Sequence, residues 1–468
     1  MNQHNFRNEQ KTIALISEYE AMSQQGTVGF YEETVFFEII KHYESTENFD
    51  RALEVTNHAI RQHRFCPDFY LKKAQILLAQ SRSGDALLCL DLAEVYAPAE
   101  LEVQLLRVEA LSAEGRSAAA FIILDVLKQQ SNEEDLTYIY FCEALVYEDL
   151  EDFDRMFYAL RRSALANPKN RQAVERIWLS VEMSQKYEES VQLHEQLIDS
   201  DPYSYIAWYN LGHAYFCLQR YREAADAFEY AYIINDTFEF AYRDCGEACI
   251  KAGDFKRALK CYTEALEHIK VDTDLLTRMG YCQEQEQEFL LAKSYYLEAL
   301  DLDHYNDLAY FRLGECYFRE GNWMTAIGYY RKAITIDKRK EEYLAALATA
   351  YHQTDQNDLA LLFFRKSVDT APEVAQYWVL YATFLLDMGK NQEALEVLEE
   401  ALQHAGGPEL LYGKIACMIL LERKGEAFYL LHKALHVNFD RYESMFELVP
   451  SLEGDPEIMT MIAAYQTS

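Results

Sequence analysis

The chain has 468 residues, half of them hydrophobic, with only 8 prolines and 17 glycines against 35 tyrosines and 25 phenylalanines. That supplies enough apolar surface for a continuous core, and so few helix breakers favour long helices joined by short turns. Net charge is −33, from 77 acidic against 44 basic residues, which argues against nucleic acid or an anionic membrane surface as a partner.

Met1 to Lys11 is mostly polar and has no apolar core of the kind a signal peptide carries. Residues 8–22 read as one amphipathic helix, with Ile13, Leu15, Ile16 and Tyr19 on its apolar side. Gly26 and Gly29 separate it from the next helical segment, so 1–32 is expected to form an N-terminal cap. Segments beginning near 33, 67 and 101 share one phase through Ala52, Ala86 and Ala120 and read as degenerate helical hairpins over 33–136. A two-residue insertion around Ser131 to Asp135 then breaks the phase once.

From 137 to 408 one register gives repeats beginning near 137, 171, 205, 239, 273, 307, 341 and 375, best matched over 205–372 and looser over 375–408. Gly212, Gly246, Gly280 and Gly314 form one column with a 34-residue step. Ala224, Ala258, Ala292, Ala326 and Ala360 form a second, and Phe228, Tyr262, Tyr296, Tyr330 and Phe364 a third. Ala231, Ala265, Ala299 and Ala333 form a fourth. A glycine lets two helices of a hairpin approach closely, and the first alanine column is expected to face it. The aromatic and second alanine columns lie four and seven residues further on, so they share one helix face.

The stretch Trp208-Tyr209-Asn210-Leu211-Gly212-His213-Ala214-Tyr215, followed by Ala224, Phe228 and Ala231, resembles the tetratricopeptide-repeat (TPR) family at nearly every defining position. Pro98, Pro168, Pro202 and Pro372 stand at the repeat boundary, where that family often has proline, and Asp236 replaces it in one repeat. The resemblance is best over 205–372. It implies an all-α, right-handed superhelical solenoid of about twelve helical hairpins with terminal capping helices. Gly253, Gly321 and Gly389 fall just past first helices, where glycine tolerates a left-handed cap. A final degenerate hairpin at 409–440 keeps Ala427 and Ala434 with a shortened loop, and 441–468 is expected to hold C-terminal capping helices. There Asp455 precedes Pro456 as an N-cap would, and Ile458, Met461, Ile462 and Tyr465 would face the last hairpin. No Pro/Gly-rich or low-complexity tract marks a domain boundary.

Chemistry finds little support. The ten cysteines lack CxxC pairs and sit mostly at apolar positions, as expected in a reducing compartment such as the cytoplasm. Cys245, Cys249 and Cys261 fall on columns expected to be buried and read as core packing. His432 and His436 share a helix face, but the glutamate of a zinc-protease motif and a third ligand are missing. No phosphate loop or nucleophile elbow appears. No catalytic residue, metal or cofactor is therefore expected, and an enzyme would need histidines and acids to converge in one pocket.

The family resemblance implies a concave groove, lined by the first helix of each hairpin, that receives a peptide or a partner helix. Positions two, five, nine and twelve of each repeat lie on one stripe away from the glycine and alanine columns. The partner-binding set expected there is Tyr209, His213 and Phe216, then Phe240, Arg243 and Glu247, then Tyr281, then Phe311, Glu315 and Phe318, with Arg319 beside them. Asp274, Thr277 and Glu284 also belong to the stripe. The mixture of aromatics with paired charges suits an amphipathic segment. The expectation is a non-catalytic scaffold or adaptor, monomeric, that binds another protein or peptide. The alternative is a regulatory protein whose superhelical pitch changes when a peptide binds.

Overall fold

The computed structural model describes residues 14–23, 29–98 and 100–466. The chain divides into two compact units, Met1–Ala248 and Cys249–Ser468. The boundary falls inside a helix, α14 (Glu239–Lys251), and not in a linker, which is why composition gave no sign of it.

Every described element is helical. Helix α1 covers 14–23 and buries Ile16 and Tyr19; residues 8–13, with Ile13, and Gly26 lie outside the described residues. Helices α2 (Glu33–Ser45) to α25 (Lys424–Val437) come next as twelve hairpins. In the first unit, Asn48, Asp152 and Asn170 each accept a hydrogen bond from the backbone N–H three residues on. Asp254, Asp272 and Asn306 do the same in the second. Such a cap stabilises a helix by about 1 kcal/mol.

The turn inside each hairpin carries one residue in the left-handed region, and its spacing records the register. Glu47, Ser81 and Gly115 come first, 34 apart; Glu151 follows after 36. Gln185, Gln219, Gly253, Gln287, Gly321, Asp355 and Gly389 continue at 34, and Glu422 closes after 33. The two slips coincide with the insertion and the shortened loop. The next N–H bonds back across the left-handed residue, as Arg220 does to the Tyr215 carbonyl and Asn322 to that of Tyr317, both at 2.9 Å.

The columns make the core. All the alanines of both columns are fully buried, and Phe228, Tyr262, Tyr296 and Tyr330 have no exposed surface. Contrary to expectation, the glycines are faced most closely by the aromatic column and not by the first alanine column. A Cβ on Gly212 would meet the Phe228 ring at 2.6 Å; on Gly280 or Gly314 it would meet Tyr296 or Tyr330 at 2.5 Å. The Cδ1–Cε1 edge of each ring presses into the space that a Cβ would take, which only glycine leaves bare. Within each unit, helices also pack on the next but one: α4 (Pro67–Ala79) on α6 (Leu101–Ala113), and α16 (Thr273–Gln285) on α18 (Asp307–Arg319). First helices thus form one layer of the hairpin stack.

In the second unit the C-terminal segment covers both layers of the last hairpin. The short helix α26 (Ser444–Leu448) packs on α24 (Pro408–Leu420), and α27 (Pro456–Gln466) packs on α25. Asp455 Oδ1 accepts from the N–H groups of Glu457 at 2.9 Å and Ile458 at 3.3 Å, so it is the cap of α27. Ile458 and Ile462 are buried beneath that helix.

Candidate interaction site

In the first unit the stripe residues come from α12 (Tyr205–Cys217) and α14. The Tyr209 hydroxyl donates to Asp244 Oδ2 at 2.6 Å, and His213 Nε2 lies 3.3 Å from the same oxygen. Burial, then the charge of Asp244, raises the Tyr209 pKa far above its ordinary value. The His213 ring sits 4.9 Å from Trp178, 4.5 Å from Tyr209 and 5.1 Å from Phe228. Arg243 donates to Glu239 Oε1 from Nε at 3.0 Å and from Nη2 at 2.7 Å. Phe216 is half-buried against Tyr221, Glu247 is half-buried, and Phe240 is 63% exposed beside Phe238.

In the second unit Tyr281 is half-buried, with the Arg312 guanidinium 4.8 Å over its ring. Glu315 accepts from the Tyr330 hydroxyl at 2.5 Å. Phe318 is half-buried on the core. Phe311 departs from the expected exposed aromatic: it is 2% exposed, stacked on Tyr343 at 4.6 Å and packed on Tyr330 at 5.7 Å. A ring from the following first helix covers it, so it belongs to the core. Arg319 is exposed and points Nη2 at Glu284 Oε1, 3.4 Å away, while Arg312 Nη1 stands at 3.8 Å. Glu284 is fully buried and accepts from the Tyr296 hydroxyl at 2.8 Å. Burial pushes its carboxyl above the ordinary range, against the pull of Arg312 and Tyr296.

Two tetratricopeptide-repeat family models match, over 205–238 and 295–328. The chain is a tetratricopeptide-repeat protein. Residues 322–401 of this repeat protein also match the family described as anaphase-promoting complex, cyclosome, subunit 3. Among solved structures, one similar to it is the APC/C hetero-tetramer Cut9–Hcn1, at 14% identity and TM-score 0.38, covering 86% of this chain and 97% of that one. Another is the C-terminal part of a TPR repeat-containing protein from Cytophaga hutchinsonii, at 16% identity and TM-score 0.39, covering 54% and 99%. YrrB, described as a TPR protein with an unusual peptide-binding site, is 18% identical at TM-score 0.32, covering 39% and 95%. No curated protein matches the chain.

Sequence reasoning missed the residues of the repeat protein that hold the stripe in place: Trp178 and Asp244 in the first unit, Arg312 in the second. It also missed α26. A cavity of about 290 Å³ lies between that segment and the stripe positions Gln376, Val379 and Thr383, with Glu447 and Leu448 on the far wall. Leu448 sits over Gly413, where a Cβ would meet its Cδ2 at 3.0 Å. The last repeats thus have part of their first-helix face covered by the chain itself. All ten cysteines carry free thiols, eight of them buried. The Cys249 and Cys261 thiols of the second unit lie within 4.8 Å of each other, and Cys245 of the first is fully buried. The His432 ring stands edge-on to Tyr465, which tucks α27 against α25.

Proposed function

We propose that this chain is a non-catalytic scaffold or adaptor that holds a segment of another protein on the first-helix stripe. The observation that carries the reading is the surface around Phe240. A ring 63% exposed stands beside Phe238, which packs on Tyr209, and Tyr209 in turn meets His213, both held by Asp244. Exposed aromatic surface rimmed by oriented polar groups is what a binding anchor requires. Among the described residues no helix is long and apolar enough to cross a membrane. Ten free thiols suit a reducing compartment, so we place the protein in the cytoplasm.

The test is affinity capture from the native cell with the full chain as bait, followed by mass spectrometry. Phe216→Ala with Phe240→Ala should lose partners that an outer-face variant, Ile122→Ala with Val126→Ala, retains. Circular dichroism would check that both variants keep wild-type helicity. Unchanged capture by the Phe216/Phe240 variant would reject the stripe as the binding surface.

A further inference from the structure

An acid-lined cavity of the first unit lies away from the stripe. It has a volume of about 330 Å³ and is bounded by α11 (Tyr187–Ser200), α12 and α13 (Tyr221–Ile234). Trp208, Leu211 and Tyr215 of α12 form its apolar side, nearly half a turn around that helix from Tyr209 and His213. Glu195 and Asp199 of α11, with Glu223 and Asp226 of α13, supply carboxylates. The volume is many times the roughly 30 Å³ that one water molecule occupies in the liquid.

The aromatic side is held in place. The Trp208 indole N–H donates to the Pro202 carbonyl at 3.0 Å, and the ring stacks on Tyr230 at 4.5 Å. The Tyr215 hydroxyl donates to Glu195 Oε1 at 2.9 Å. Glu195 and Asp199 form no ion pair among the described residues. No three of the four carboxylates bring an oxygen within 4.8 Å of one another, so they do not converge on a bare metal ion. They are spread as they would be around a larger cation.

The chain's own side chain displays the matching chemistry next door. The Arg220 guanidinium stands 4.4 Å over the Tyr215 ring and donates from Nε to Glu223 at 3.0 Å. A planar cation is attracted by aromatic faces and by carboxylates at the same time. The acid set is also particular to this repeat pair. Thirty-four residues on, the same register holds Glu229, Ile233, Arg257 and Lys260; thirty-four residues earlier it holds Arg161, Leu165, Glu189 and Gln192. General surface acidity does not account for four acids meeting on one aromatic wall.

We propose that this cavity is a second docking site, on the opposite side of α12 from the stripe, that takes an arginine side chain of a partner protein. It rests on the reading of the chain as protein-binding, but it uses none of the stripe residues.

The probe is a blocked Gly-Gly-Arg-Gly-Gly peptide carbon-labelled at the guanidinium, titrated with the full chain and followed by NMR. Binding should weaken about fivefold or more in Glu195→Gln with Asp199→Asn, since each lost carboxylate removes a charge-assisted contact. Both substituted residues are exposed, and glutamine at 195 still accepts from Tyr215. The same change of charge at Glu133→Gln with Glu134→Gln, on the first turn of α8 (Glu133–Asp149), should leave binding as in the wild type. A citrulline counterpart, neutral and of the same shape, should not bind. Equal weakening by the α8 variant, equal binding of citrulline, or no binding of the arginine peptide would overturn the proposal. Arginine binding retained in the Phe216/Phe240 variant, with partner capture lost, would separate a failure of this site from a failure of the stripe.

Discussion

His194 offers a stability switch whose sign and size come from its surroundings. It lies on α11 with no exposed surface, its Nδ1 2.8 Å from the Ser190 carbonyl and 3.1 Å from the Ser190 hydroxyl. Its Nε2 has no hydrogen-bond partner. Burial pushes its pKa down from 6.5 to about 4, against the opposing pull of the Ser190 carbonyl. The folded chain therefore binds fewer protons at this site than the unfolded chain. The stability tied to the neutral ring is complete above pH 6.5 and is lost as pH falls through 6.5 toward 4. Across the whole window the loss is about 3 kcal/mol; between about pH 7.5 and 5.5 it is about 1.3 kcal/mol. The smaller interval stays above the isoelectric point near 4.7. Hydrogen exchange of α11 amides, corrected for intrinsic rates, reads this locally, as suits a stack that opens by parts. His194→Asn removes the titration, so its protection should lose about 1.3 kcal/mol less than the wild type over that interval. Equal losses in the two proteins would refute the reasoning.

Backbone geometry can be tested in two further ways. Gly314→Ala places a methyl 2.5 Å from the Tyr330 ring and should cost about 1–3 kcal/mol, read by urea denaturation followed by circular dichroism. A cost near zero would mean that the ring can move aside. At the left-handed turns, Gly253→Ala should lower stability by about 1 kcal/mol, whereas Gln287→Gly should leave it unchanged or raise it slightly. The two should differ in sign or clearly in size in the same urea assay, and equal losses would count against the turn geometry.

Whatever recurs at one interval could be read from the sequence. The alanine and aromatic columns, the turn glycines and the Asp455 cap need only local geometry and a fixed step. Contacts between neighbouring repeats were harder. Phe311 lies on the expected stripe, but Tyr343, 32 residues on, covers it, and a helical wheel of one helix cannot contain that ring. Asp244 is 35 residues from Tyr209, and its register position is unremarkable until the two helices are side by side. The pairing of glycine with the aromatic column depends on how the two helices of a hairpin lean together, which spacing alone leaves open. Helix α26 has five residues, too few to show a period. The acid-lined cavity had a usable signal: Glu195, Asp199, Glu223 and Asp226 stand on successive second helices around Trp208.

The rings pressed against Gly212, Gly280 and Gly314 also have a consequence for motion. Phe228, Tyr296 and Tyr330 press an edge against the bare backbone of a glycine, and Tyr296 and Tyr330 are further tethered through their hydroxyls to Glu284 and Glu315. None can turn through half a revolution unless its hairpin parts momentarily. The exchange rate of each ring's two edges is therefore a clock for the breathing of a single hairpin. Selective isotope labelling of these rings would time three hairpins separately, in a chain whose backbone signals crowd together because its repeats are so alike.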